Sequence, residues 1–156
     1  MTLAQRLQAG MTEAMRERDD VRRDALRMAV AAIQRAEKDA RHPLGSDEEI
    51  GVLTREIRTR RESLEAFAAG GRPDLAAQEQ RKLDALAPYM PAQLDDAQLD
   101  ALVAQAVDES GATSPRDTGR VMKILAPRVK GRADGRQVHV LVTHELERRA
   151  RSGGGG

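Results

Sequence analysis

The apolar residues of this chain recur three and four apart, and that spacing restricts what it can fold into. Leu3, Leu7, Met11 and Met15 step by four. Val21, Ala25, Met28, Ala29, Ala32, Ile33 and Ala36 keep a helical period, and Ile50, Leu53, Ile57, Leu64 and Phe67 fall at heptad-like spacing with Arg60 interrupting one position. Such sets share one face of a helix, whereas a half-buried strand needs strict alternation. With one Phe, one Tyr and no Trp in 156 residues, the core must be built from Leu, Val, Ile, Met and Ala. Strands lean on aromatic and β-branched residues, so the fold class is all-α.

Capping residues punctuate these stripes. Thr2 with Gln5 suits a helix start, because hydroxyl and amide each satisfy an otherwise unpaired backbone N–H. The first helix spans about residues 3–18, and Asp19-Asp20 caps the second, whose small residues permit close helix approach. His42-Pro43-Leu44-Gly45 breaks the pattern, and Ser46-Asp47-Glu48-Glu49 restarts it as a capping box. Gly70-Gly71 offers a left-handed stop, and Pro73-Asp74 opens a helix with Leu75, Leu83, Leu86 and Met90, completing a helical hairpin. Pro88 and Pro91 bracket Tyr89-Met90 in a stretch that a helix does not readily cross. The domain boundary is placed there. Residues 1–90 form an N-terminal helical hairpin or bundle, residues 91–150 a small three-helix C-terminal domain, and residues 151–156 a disordered glycine tail.

Beyond the boundary, Asp95 pairs with Gln98 as a cap, and Leu99, Leu102, Val103, Ala106 and Val107 draw a face that ends at Gly111. Ser114-Pro115-Arg116-Asp117 starts a helix expected to reach about Ala126, with Pro127 near its end. Val138 to Thr143 also alternates like a short strand. Asp134 as a cap, and Val138, Leu141, Val142 and Leu146 at helical period, favour a last helix.

Whole-chain charge implies no partner, since 26 basic residues nearly cancel 25 acidic ones. Its distribution is more informative: Arg116 to Arg151 holds ten basic residues against four acidic ones. No cysteine is present, which excludes disulfides and thiolate metal sites, and the expected location is cytoplasmic. His42, His139 and His144 lack metal-ligand spacing. No apolar run approaches the roughly 18 residues of a membrane span, so no membrane partner is expected. No nucleophile, base and orienting group appear in order, and the Walker phosphate loop and the dinucleotide glycine fingerprint are absent. No catalytic residue, cofactor or metal is assigned.

The candidate site is the basic, glycine-bearing segment around RVKGRADGR. Lys123, Arg128, Lys130, Arg132 and Arg136 can gather at the ends of the last two helices, with Gly131 and Gly135 between them. The exposed N–H groups of the final helix add positive dipole. This suits a nucleic-acid backbone, although the same residues suit a solvated connector with wet glycine turns. No aromatic platform or base-reading motif promises sequence specificity. The arginines Arg55, Arg58, Arg60 and Arg61 read as a solvated face with Glu56, Glu62 and Glu65 as local partners.

Several segments in order, LRMAVAAIQ, LTREIRTRRESLEAFAAGGRPDL, YMPAQL and GRVMKILAPRVKGRADGRQVHVLV, resemble the GatB/YqeY family, specifically a free-standing YqeY-like protein. The resemblance covers nearly the whole chain. It implies two helical domains, the second similar to the tail of the B subunit of the tRNA-dependent amidotransferase, which helps to hold tRNA. The family label, carbon-nitrogen ligase with glutamine as amido-N-donor, belongs to a larger subunit whose chemistry lies outside this portion. The resemblance therefore implies an accessory protein that binds tRNA, with aminoacyl-tRNA synthetase or amidotransferase subunits as further expected partners. The matching residues are Gly119 to Met122 and Lys130 to Gly135. The alternative is a helical module that docks on such an enzyme, its basic loop incidental.

Overall fold

Thr2 accepts a hydrogen bond from the Gln5 N–H at 3.1 Å and its own N–H donates to the Gln5 side chain at 2.9 Å, so the first helix begins as a closed capping box. The computed structural model describes residues 1–153, and residues 154–156 of the expected glycine tail lie outside the described residues. Its seven α-helices are α1 (Leu3–Arg16), α2 (Asp20–Ala40), α3 (Ser46–Ala69), α4 (Pro73–Leu86), α5 (Asp96–Ser110), α6 (Thr118–Val129) and α7 (Gly135–Gly153). Short 3-10 turns cover Ala87–Tyr89 and Pro115–Asp117. No strand occurs among the described residues, so the chain is all-α.

The chain divides into two compact units, Met1–Pro91 and Ala92 onward. In the first, Leu3, Leu7, Ala25, Leu26, Ala29, Val30, Ile33, Val52, Leu53 and Leu86 form a continuous core. The inward face of α1 is Leu3, Leu7, Gly10 and Ala14, not the stripe through Met15, which is 54% exposed. Small residues sit inside because Tyr89 occupies the space beside Gly10: a Cβ there would overlap the Tyr89 hydroxyl. Met28 likewise leaves the expected face of α2 and is exposed.

Two buried carboxylates tie α3 into this unit. Glu49 reaches α1 and accepts the Ala4 N–H at 2.9 Å, satisfying an amide that the first turn of a helix leaves open. Gly45, not Ser46, is the N-cap of α3, and its N–H donates to Glu48 at 2.7 Å. Farther along, Glu79 of α4 is held by Arg60 at 3.3 Å and Lys82 at 3.2 Å. Arg60 thus interrupts the apolar stripe because it faces a buried partner on α4; it does not belong to the solvated arginine face. Arg55, Arg58 and Arg61 are exposed.

The second unit packs Leu99, Val103, Ala106, Val107, Val121, Leu125, Val129, Val138, Val142 and Leu146 into its own core. Asp95 caps α5 by accepting the Gln98 N–H at 2.7 Å, and Gly111 ends the helix in the left-handed region at φ +69°. Helix α6 differs from expectation at both ends. The Pro115–Asp117 turn precedes it, and it runs over Pro127 to Val129. Val121, Leu125 and Val129 are buried at successive four-residue steps, and anchoring Val129 outweighs the N–H that Pro127 cannot give to the Lys123 carbonyl. Helix α7 also outruns expectation, since Arg151 to Gly153 are helical.

Candidate functional site

After Val129 the chain turns back through Gly131 at φ +73°. Arg132 and Ala133 N–H groups both donate to the Val129 carbonyl, at 2.8 and 3.1 Å, and so satisfy a helix end that would otherwise be open. The loop is then strapped to the segment before α5. The Gln93 side chain donates to the Gly131 carbonyl at 2.8 Å, the Leu94 N–H to the Arg132 carbonyl at 2.9 Å, and the Arg132 guanidinium to the Ala92 carbonyl at 3.1 Å. Asp134 opens α7 by accepting the Arg136 N–H at 3.0 Å on its side chain and the Val138 N–H at 3.0 Å on its carbonyl.

These bonds separate the seven residues singled out from the sequence. Arg128 lays its guanidinium fork on Glu109 at 2.7 and 3.1 Å, joining α6 to α5, and this pairing holds the Glu109 carboxyl below the usual carboxylate range. Arg132 is half-buried and committed to the loop strap. Gly131 is a buried turn residue. Gly135 is the first residue of α7, with open space where a Cβ would stand, so no close approach requires a glycine there. Lys123, Lys130 and Arg136 remain as exposed cations that make no ion pair among the described residues. Sequence reasoning missed Gln93, whose role depends on a contact 38 positions away. It also missed that the Leu94–Arg132 bond brings the acidic start of α5, Asp95 and Asp96, to the same end of the unit as the basic loop.

A second ionic lattice stabilises the far end of α7. Arg149 pairs with Asp108 at 2.5 Å and Glu145 at 2.9 Å, and Arg148 meets Glu145 at 2.6 Å. The hydrogen bonds from Arg148 and then Arg149 hold the Glu145 carboxyl at about 2, against an ordinary 4.5. His139 and His144 are exposed, and no group of three or more His, Cys, Asp or Glu among the described residues is placed to hold a metal. No helix among those residues is long and apolar enough to cross a membrane.

The sequence model of the family described as Yqey-like protein matches residues 4–146. The chain belongs to the YqeY-like family. Two curated fungal relatives are similar to this YqeY-like chain, both named "Altered inheritance of mitochondria protein 41, mitochondrial". That of Pyrenophora tritici-repentis is 32% identical over 132 residues, covering 82% of this chain and 71% of the relative. That of Eremothecium gossypii is 32% identical over 101 residues, covering 64% of this chain and 55% of the relative. These names overturn the expectation of a cytoplasmic location. A lack of cysteine separates oxidising from reducing surroundings and does not separate one reducing compartment from another.

Proposed function

We propose that this YqeY-like chain is an accessory tRNA-binding protein without catalytic residues of its own, and that it meets the phosphate backbone through Lys123, Lys130 and Arg136. The observation that carries the reading is that these three cations are exposed and free of ion pairs among the described residues, while neighbouring Arg128 and Arg132 are committed to internal acceptors. A cation without a protein partner is the kind that exchanges small counterions for phosphate. The same segment carries the resemblance to the tail of the tRNA-dependent amidotransferase, which makes amidotransferase subunits or an aminoacyl-tRNA synthetase the partners of choice. The acidic start of α5 limits the surface to few phosphates and argues for modest affinity.

Filter binding to tRNA at low salt, repeated with Lys123, Lys130 and Arg136 all changed to Glu, tests the reading. Each lost contact is expected to reduce the slope of log affinity against log salt by about 0.7 to 0.9. Absence of binding by the unaltered chain, or unchanged binding by the variant, sinks it.

A further inference from the structure

The N-terminal unit holds a cleft of about 400 Å³ between the start of α2 and the end of α4, and the charged groups along it are unequally committed. Arg22 is held by Glu17 at 3.0 Å and Glu13 at 3.1 Å. Asp19 is used as the cap of α2, accepting the Arg22 N–H at 3.1 Å. Arg81, in contrast, makes no ion pair among the described residues, and Asp84 accepts a hydrogen bond from the neutral Gln80 amide at 3.0 Å. Arg81 and Asp84 stand three apart on α4, a spacing at which opposite charges commonly pair. Both are exposed at the rim of the cleft, and neither closes on the other.

The remaining wall is apolar and fixed. Tyr89 has the Arg6 guanidinium 5.6 Å from its ring centroid on one side, and Gly10 leaves the room that its hydroxyl fills. Val21, Ala85 and Pro88 complete the lining. The volume lies within the range of small-molecule sites.

A simple anion would satisfy Arg81 and leave Asp84 facing a like charge, and a simple cation would do the reverse. Among small ligands, one with both signs answers both groups at once. We infer that this cleft binds a small zwitterion of the α-amino-acid class, its carboxylate on Arg81, its ammonium on Asp84 and its side chain along Tyr89 and Pro88. The inference is independent of tRNA binding, which concerns the other unit.

Nuclear magnetic resonance titration of the ¹⁵N-labelled full chain tests it, using a panel of free α-amino acids, their counterparts lacking the ammonium or the carboxylate, and inorganic phosphate. At least one amino acid should shift resonances of residues 19–22 and 81–89 with roughly millimolar affinity, the scale for a ligand of about ten heavy atoms in an open cleft. Its truncated counterparts should bind about tenfold more weakly, and Arg81→Gln should lose a similar factor at an unchanged thermal midpoint. Asp84→Asn should bring the amino acid and its deaminated counterpart to equal affinity, an outcome that general damage to the fold would not produce. No shift with any amino acid at about 50 mM overturns the inference, and so does phosphate or the deaminated acid binding as tightly as the zwitterion.

Discussion

Gly131 and Gly135 stand four residues apart in one basic segment, and the backbone asks different things of them. Gly131 is buried at φ +73°, with its carbonyl held by Gln93, so a side chain there meets the cost of the left-handed region. Gly131→Ala should destabilise by about 1–2 kcal/mol in urea unfolding. Gly135 faces open space at the start of α7, and Gly135→Ala should be neutral or stabilise by up to about 1 kcal/mol in the same measurement. Gly10 is a third case, since its missing side chain is what lets Tyr89 pack on α1. Gly10→Ala should improve local helix propensity and still lower the thermal midpoint, by the equivalent of about 1–3 kcal/mol, because the rigid ring must move. An unchanged midpoint would mean that Tyr89 is not a fixed wall.

At the scale of elements, charge pairs between helices set features that periodicity does not reveal. Glu145 has its carboxyl held at about 2 by Arg148 and Arg149, so the fold favours the ionised form. Its contribution is complete above the ordinary value of 4.5 and disappears as pH falls through about 2. With the side chain about one-fifth exposed, that contribution is about 1–3 kcal/mol after screening. Acid titration of unfolding free energy between pH 5 and 2 should show a component that Glu145→Gln lacks. Helix starts and stops were legible at Thr2, Asp19, Asp95 and Gly111 because capping is decided within four residues. The passage of α6 over Pro127 was not legible, since it depends on Val129 finding a place between α5 and α7. Arg60 was misread for the same reason: its partner Glu79 lies 19 positions away, and near-neighbour rules offered Glu56 and Glu62 first. Glu79→Gln should therefore cost about 3–5 kcal/mol in thermal unfolding, far more than a surface pair, by leaving Arg60 and Lys82 without their carboxylate. The candidate site was legible as composition and not as geometry, because no local rule tells that Arg128 and Arg132 are spent inside the unit while Lys123, Lys130 and Arg136 are not.

For the whole molecule, the two core clusters share no residue, and the loop strap from Ala92 to Leu94 lies within the second unit. Residues 92–153 therefore contain the partners that hold the candidate site: Glu109 for Arg128, Ala92 for Arg132 and Gln93 for Gly131. A fragment of that length buries little surface, and stability of about 3–5 kcal/mol is the expected ceiling. Expressed alone, it should show a cooperative, helical thermal transition by circular dichroism. On the proposed function it should also bind tRNA as the full chain does, with the same salt slope, because the cations proposed to release counterions all lie within it. If the fragment folds and loses binding, the phosphate contacts proposed for Lys123, Lys130 and Arg136 are insufficient and the first unit must supply others. If it binds as the full chain does, the cleft beside Tyr89 is left with a separate task, and a saturating zwitterionic ligand should not alter tRNA affinity.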